Sequence, residues 1–161
     1  MDRRQFLVSG LATGLAAGLT SGLTLAAGPA RAGGAMFCST GGVAIGGYDS
    51  VSYFAGEGPR KGRRDIGLMW KGAVWYFATA AHRDMFESNP WALAPRYGAY
   101  CAFAMSQGRL AKGDPRSWML AGGRLYLTVD PQALVAWEAD MDRNVTLANG
   151  NWPGILRRQG S

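Results

Sequence analysis

The strongest constraint on the fold is a pattern that occurs in two stretches of the chain, in which a hairpin of two short strands is followed by a helix. In residues 65–78, apolar side chains alternate with others, Lys71-Gly72 supplies a turn, and Val74-Trp75-Tyr76-Phe77 has the β-branched and aromatic content of a buried strand. The alternating residues are Ile66, Leu68 and Trp70. Two antiparallel strands are therefore predicted here.

A helix is predicted directly after this hairpin. Thr79 can cap it, and it should run to about Ser88, where Asn89-Pro90 stops it because the residue before a proline avoids helical geometry. One face of this helix carries His82, Met85, Phe86 and Asn89.

The second stretch repeats this order of elements. A hairpin is predicted over residues 118–129 around Gly122-Gly123, with Leu125, Leu127 and Val129 on one side. Asp130-Pro131 then opens one last helix, which ends at Gly150. Its apolar positions are Leu134, Trp137, Met141, Val145 and Ala148. The expected fold is a small single α+β domain of antiparallel hairpins packed with helices.

The first 32 residues resemble a bacterial twin-arginine signal peptide. Arg3-Arg4 is followed by Phe6-Leu7, by an apolar stretch to Ala27 and by Ala30-Arg31-Ala32, where small residues suit a signal peptidase. We expect the twin-arginine translocase to export the folded protein to the periplasm, with cleavage after Ala32. The alternative is an uncleaved N-terminal membrane anchor, but the glycines and threonines of this stretch make it weakly hydrophobic for that task.

Removal of the signal leaves 129 residues, the size of one domain with one core. We expect a flexible glycine-rich segment over residues 33–47, the domain over 48–156 and a basic tail over 157–161. Three of the 17 basic and one of the 11 acidic residues lie in the signal, so the mature chain has a net charge of +4. Basic residues cluster only at 60–64 and 157–158, which we interpret as solvated faces or loops, and no nucleic-acid partner is expected. No repeat of the amino-acid sequence itself and no low-complexity segment is evident beyond the signal.

Four further segments resemble bacterial YHS-domain proteins. They are Gly47-Tyr48-Asp49-Ser50-Val51-Ser52-Tyr53-Phe54, Trp75-Tyr76-Phe77-Ala78-Thr79-Ala80-Ala81-His82-Arg83-Asp84-Met85-Phe86, Asn89-Pro90 and Tyr97-Gly98-Ala99-Tyr100-Cys101-Ala102. The resemblance covers about residues 43–155. It implies a YHS-like fold and kinship with small metal-binding modules whose cysteine thiolates hold the metal.

This chain departs from the family at each thiolate position. Ser52 stands at the first, Ala78 at the second and His82 at the third. Alanine offers no ligand, and a serine hydroxyl is a poor one for a soft metal such as Cu(I). The remaining candidate ligands are His82, Cys101 and Met105, and the last two share a helical face if Tyr100–Ser106 is helical.

Each candidate residue also has a purely structural interpretation. His82 can be a hydrogen-bonded, partly buried histidine, and Asp49 a turn or helix cap rather than a functional carboxylate. Cys101 can be a functional thiol, a disulfide partner of Cys38 or an inert buried thiol. The tryptophans belong to the core, although Trp70, Trp75 and Trp91 can also line a ligand pocket.

Two functions of different classes follow. The first is a periplasmic module that handles a soft metal such as copper through Cys101 with His82 or Met105, exchanging it with a periplasmic metal donor or acceptor protein. The second is a metal-free module that binds a partner protein or a small ligand. An enzyme with Cys101 as nucleophile ranks third, because signatures of hydrolysis, phosphoryl transfer, thioredoxin-like redox work and covalent haem attachment are missing.

Overall fold

The computed structural model describes residues 35–158 and confirms the expected α+β architecture. The predicted signal peptide lies outside the described residues. Within 35–158 the elements are β1 Ser39–Thr40, β2 Val43–Ala44, α1 Ser50–Phe54, β3 Arg63–Trp70, β4 Ala73–Phe77, α2 Ala80–Ser88, α3 Pro90–Leu93, α4 Ala102–Ser106, β5 Asp114–Ala121, β6 Arg124–Thr128, α5 Pro131–Ala139, α6 Met141–Asn151 and α7 Gly154–Arg158. Two 3-10 turns, Ile45–Gly47 and Arg96–Ala99, lie shortly before α1 and α4. None of these described helices is long and apolar enough to cross a membrane.

The first predicted hairpin and its helix are confirmed. Strands β3 and β4 pair antiparallel around the Lys71-Gly72 turn. The Thr79 hydroxyl accepts a hydrogen bond from the backbone N–H of His82 at 3.1 Å and so caps α2. Phe86 and His82 are buried on the inner face of α2, whereas Met85 is half exposed.

The segment expected to be flexible, residues 33–47, instead contributes two short strands to the sheet between Ser39 and Ala44. Strands β1 and β2 extend the sheet in the order β1-β2-β4-β3, and β2 runs parallel to β4 with Val43 opposite Val74. Phe37 is buried against the rings of Trp70 and Trp75. Burial of this one aromatic side chain gives the segment a core contact that its glycine content does not indicate.

The second hairpin is confirmed, but the helix after it is not continuous. The Asp130 carboxylate caps α5 by accepting the Ala133 N–H at 2.7 Å. The expected single helix to Gly150 is wrong because Asp140 leaves helical geometry, with φ −148° and ψ 65°, and separates α5 from α6. The Asn144 amide of α6 donates to the carbonyls of Ala136 and Trp137, which lie in the last turn of α5.

The two hairpin–helix units follow one backbone plan, a repeat that the sequence analysis missed. In each unit, a 3-10 turn with positive φ angles is followed by a tyrosine. The tyrosine backbone forms an isolated antiparallel β-bridge with a lysine beyond an irregular loop, and the pairs are Tyr48–Lys61 and Tyr100–Lys112. Three backbone N–H···O hydrogen bonds occur at equivalent places in the two units. Tyr48 donates to Ile45 at 3.2 Å, and Tyr100 donates to Tyr97 at 3.1 Å. The other equivalent pairs are Asp49 to Arg60 and Cys101 to Ala111, both at 2.8 Å, and Gly62 to Gly47 at 2.9 Å and Gly113 to Ala99 at 3.2 Å. We call residues 43–88 the first half and residues 96–139 the second half.

Strand β6 joins the two halves through its alternating faces. Leu125 and Leu127 are buried in the core cluster that contains Trp75 and Phe86 of the first half. Tyr126, between them, points into a second cluster with Met105 and Trp137. Because successive strand residues face opposite sides, one five-residue strand serves both clusters.

Candidate functional site

Asp49 and His82 form a buried pair in the first half. Asp49 precedes α1 as its N-cap, and its Oδ1 accepts the Val51 N–H at 2.8 Å. Its Oδ2 accepts the Ala78 N–H at 2.8 Å and lies 2.6 Å from Nδ1 of His82. Asp49 has no exposed surface, so these three N–H groups replace the water that its carboxylate loses on folding.

The pair holds three elements together and fixes the imidazole. Asp49 connects the start of α1 to the residue after β4 and to the first turn of α2. Nδ1 of His82 donates to the carboxylate, and Nε2 makes no hydrogen bond within residues 35–158, while a tenth of the side chain reaches the surface. His82 is thus the hydrogen-bonded histidine of the structural interpretation, with one ring nitrogen left available.

Cys101 occupies in the second half the position that Asp49 has in the first. It precedes α4, and its Sγ accepts the Ala104 N–H at 3.4 Å, a weak cap. Ala133 stands where His82 would be, so no imidazole is present to hydrogen-bond a buried carboxylate there. A neutral thiol suits this buried position better than a carboxylate does.

The three predicted metal ligands are divided between the halves. Met105 follows Cys101 by one turn and is fully buried in the second core cluster, whereas His82 lies on α2 beside Asp49. Throughout residues 35–158, no three His, Cys, Asp or Glu side chains are close enough together to hold a metal ion. Cys38 and Cys101 are both free thiols and form no disulfide.

The tryptophans are mainly core, as the structural interpretation holds. Trp75 is buried, and Trp70 packs edge-on against the rings of Trp75, Phe86 and Trp91. Trp91 is 56% exposed and borders a small cavity of about 50 Å³, whereas Trp70 and Trp75 do not line that cavity.

A basic site that was not predicted from the sequence lies between the halves. Two cavities of about 570 and 590 Å³ share Lys61, Lys112 and Gly46 in their linings. One also contains Arg116, Asp114 and Tyr48, and we call it the Arg116 cavity; the other contains Arg64 and Tyr76, and we call it the Arg64 cavity. Together they form what we call the lysine groove.

Glycines place the two lysines. Lys61 and Lys112 are equivalent in the two halves, and each is followed by a glycine. A Cβ at Gly62 would overlap the backbone of Tyr76, and one at Gly113 would lie 2.7 Å from the Ala99 carbonyl oxygen. Only glycine allows the backbone to approach this closely, and the close approach places each lysine between the two halves.

The lysine ammonium groups are available for an anion. Lys61 Nζ donates to the Gly46 carbonyl at 2.9 Å and lies 3.9 Å from the centre of the Tyr48 ring. Lys112 Nζ donates to the Thr40 hydroxyl at 2.7 Å. Neither pairs with a carboxylate of the described residues, and both side chains are exposed.

The basic run at residues 60–64, expected to be a solvated face or loop, is divided in the structure. Arg60 pairs with Glu57 at 2.7 Å, and Arg63 pairs with Asp65 at 2.6 Å, both at the exposed surface. Lys61 and Arg64 instead line the groove. Lys61 forms an isolated bridge with Tyr48 before β3 begins, and Arg64 lies at the irregular start of β3, where the strand register shifts between Arg63 and Gly67.

Asp114 is the acidic group of the groove. A hydrogen bond from the backbone N–H of Arg116, followed by its guanidinium, lowers the pKa of Asp114, and the charge of Lys112 acts in the same direction. Asp114 is therefore ionised at neutral pH and partly offsets Arg116, with which it pairs at 3.3 Å. Arg64 has no such partner among the described carboxylates.

The geometry thus offers one buried Asp–His pair and one open basic groove. Comparison of the chain with models of known protein families, with curated proteins and with solved structures returned no match.

Proposed function

We propose that the mature chain is a binding module for a small anionic ligand, and that the ligand occupies the lysine groove. The observation that carries the proposal is the convergence of two equivalent lysines, neither paired with a described carboxylate, on two adjoining cavities. Each lysine donates one hydrogen bond to a neutral oxygen, which leaves two N–H groups of each ammonium for a ligand.

The size and walls of the groove fit a small molecule. Each cavity falls within the range of about 300–1,000 Å³ that is usual for small-ligand sites. Tyr48 and Tyr76 contribute flat aromatic surface to opposite cavities. Four cations against one carboxylate favour an anion, since charge-assisted hydrogen bonds are about twice as strong as neutral ones.

This proposal develops the metal-free alternative of the sequence analysis. The twin-arginine signal supports export to the periplasm, and the four quoted segments support kinship with YHS-domain proteins. The departures at Ser52, Ala78 and His82 support a module that uses a site other than the thiolates.

An NMR titration tests the proposed site. Inorganic phosphate and glutarate are added to the ¹⁵N-labelled chain, and we expect saturable shifts at the backbone amides of Gly46, Gly62 and Gly113. Lys61→Gln and Lys112→Gln should each weaken binding about tenfold, because each removes a charge-assisted contact. Lys71→Gln is the matched control, since Lys71 lies on the β3–β4 turn and outside the groove lining. Equal affinities in all three variants, or no saturable shift, contradict the proposal.

Handling of a soft metal such as Cu(I) is the second candidate function. Its support is the Asp49–His82 hydrogen bond, because a carboxylate on one ring nitrogen is the usual device that orients the other toward a metal. Cys101 and Met105 would supply sulfur ligands, and both are buried.

An anaerobic Cu(I) titration of the reduced chain against a competing chelator tests this second function, with Zn(II) as the control metal. Tight stoichiometric binding that Cys101→Ser and His82→Gln both abolish would establish the site. Binding no tighter than that of the chelator would reject it.

A further inference from the structure

We infer that the ligand of the lysine groove carries two anionic groups and lies across the lysine pair, with one group in the Arg64 cavity and the other in the Arg116 cavity. The inference rests on the proposed function and adds the class of ligand, a small dicarboxylate or bisphosphate.

The doubled backbone plan provides two ends to the groove. Lys61 and Lys112 line both cavities, whereas Arg64 belongs to one cavity and Arg116 to the other. A single anion at the lysine pair would leave at least one guanidinium without a ligand contact. An elongated ligand with two anionic ends engages both arginines and both lysines together.

The floor between the cavities is open. Gly46 lines both cavities, and a Cβ built on it meets no atom within 4 Å. Its φ of +60° disfavours any side chain that would divide the groove. A ligand can therefore pass over Gly46 from one cavity to the other.

The two ends differ in charge and predict an orientation. The Arg64 cavity contains three cations and no carboxylate among its lining residues. The Arg116 cavity contains three cations and the ionised Asp114, which already holds Arg116. The more highly charged group of an unsymmetrical ligand should lie at Arg64, and a group that also offers a hydroxyl or amino donor should lie near Asp114.

Isothermal titration calorimetry with matched ligands tests the inference. The probes are succinate, glutarate and adipate, each compared with its own monomethyl ester, and pyrophosphate compared with inorganic phosphate. The ester keeps the length of the diacid and removes one charge. We expect one diacid, or pyrophosphate, to bind about tenfold more tightly than its single-anion partner, which corresponds to one added charge-assisted contact.

Two arginine variants identify the ends. Arg64→Gln and Arg116→Gln should each reduce the preference for two anions to roughly threefold or less, with the larger loss at Arg64 because Asp114 already shares Arg116. Arg109→Gln, outside both cavity linings, should leave the preference unchanged.

The outcomes separate the two proposals. Equal affinity for diacids and esters, with binding still dependent on Lys61 and Lys112, overturns the two-anion inference and leaves the proposed function standing. Absence of binding by every probe overturns both. A preference for two anions that neither arginine variant reduces overturns the placement across the two cavities.

Discussion

Replacement of Asp49 by alanine should be far more damaging than replacement of Cys101, although the two residues hold equivalent positions. Asp49→Ala removes the acceptor of two backbone N–H groups and of the His82 ring, all in a buried site. Each buried donor left without its acceptor costs about 1–3 kcal/mol, so loss of all three contacts should cost at least about 3 kcal/mol. Cys101→Ala removes one weak helix cap made by the sulfur atom and leaves a small cavity, which together should cost about 1–2 kcal/mol of stability.

Urea denaturation of the purified chain at neutral pH, followed by tryptophan fluorescence, measures both free energies of unfolding. The expected loss for Asp49→Ala is a large part of the total stability of a domain, which is about 5–15 kcal/mol. His82→Ala should cost less, because Asp49 keeps its two backbone donors. The double variant then measures the coupling of the pair, expected at about 1.5–3 kcal/mol.

Two results would refute this reasoning. Equal losses for Asp49→Ala and Cys101→Ala would mean that the carboxylate adds nothing beyond an ordinary helix cap. Additive effects of Asp49→Ala and His82→Ala would mean that the 2.6 Å contact carries no energy of its own.

Four further outcomes follow from the packing. Gly113→Ala should lower the free energy of unfolding by about 1–3 kcal/mol, because its Cβ would lie 2.7 Å from the Ala99 oxygen. Gly150→Ala, in open space within α6, should raise the free energy of unfolding by about 0.5–1 kcal/mol, and denaturant titrations measure both changes. Asn144→Ala should cost about 1–3 kcal/mol and lower the Tm, since the carbonyls of Ala136 and Trp137 lose their donor, and an unchanged Tm would contradict that role. Burial raises the pKa of Tyr97 to about 12 and that of Tyr53 further. Above pH about 10 the folded state therefore holds more protons than the unfolded state, so stability is intact below that pH and falls as the pH rises toward 12. Phenolate absorbance should show that these two rings ionise last, and Tyr97→Phe should reduce the loss of stability at high pH. Alkylation of the native chain should modify Cys38 slowly, because burial raises its pKa against the opposing effect of Lys112, and should reach Cys101 only on unfolding, as peptide mass spectrometry would show.

Contacts between elements that are distant along the chain could not be predicted from the sequence. Asp49 and His82 are 33 positions apart, and their meeting depends on how α1, β4 and α2 dock. Equivalence of Asp49 with Cys101 was hidden because the halves share a backbone plan with few identical residues. Lys61-Gly62 and Lys112-Gly113, each preceded by a tyrosine at nearly the same spacing, were the available signal for the repeat and for the groove.

Local chemistry alone determined the hairpins and helix starts of this protein. Alternating apolar residues, the Lys71-Gly72 turn, and the caps at Thr79 and Asp130 act within a few residues, so the chain itself specifies them. Tertiary structure decided the break at Asp140, the burial of Phe37 and the convergence of Lys61 with Lys112. Each of these depends on a partner brought from another element, and its energy exists only once those elements have packed together.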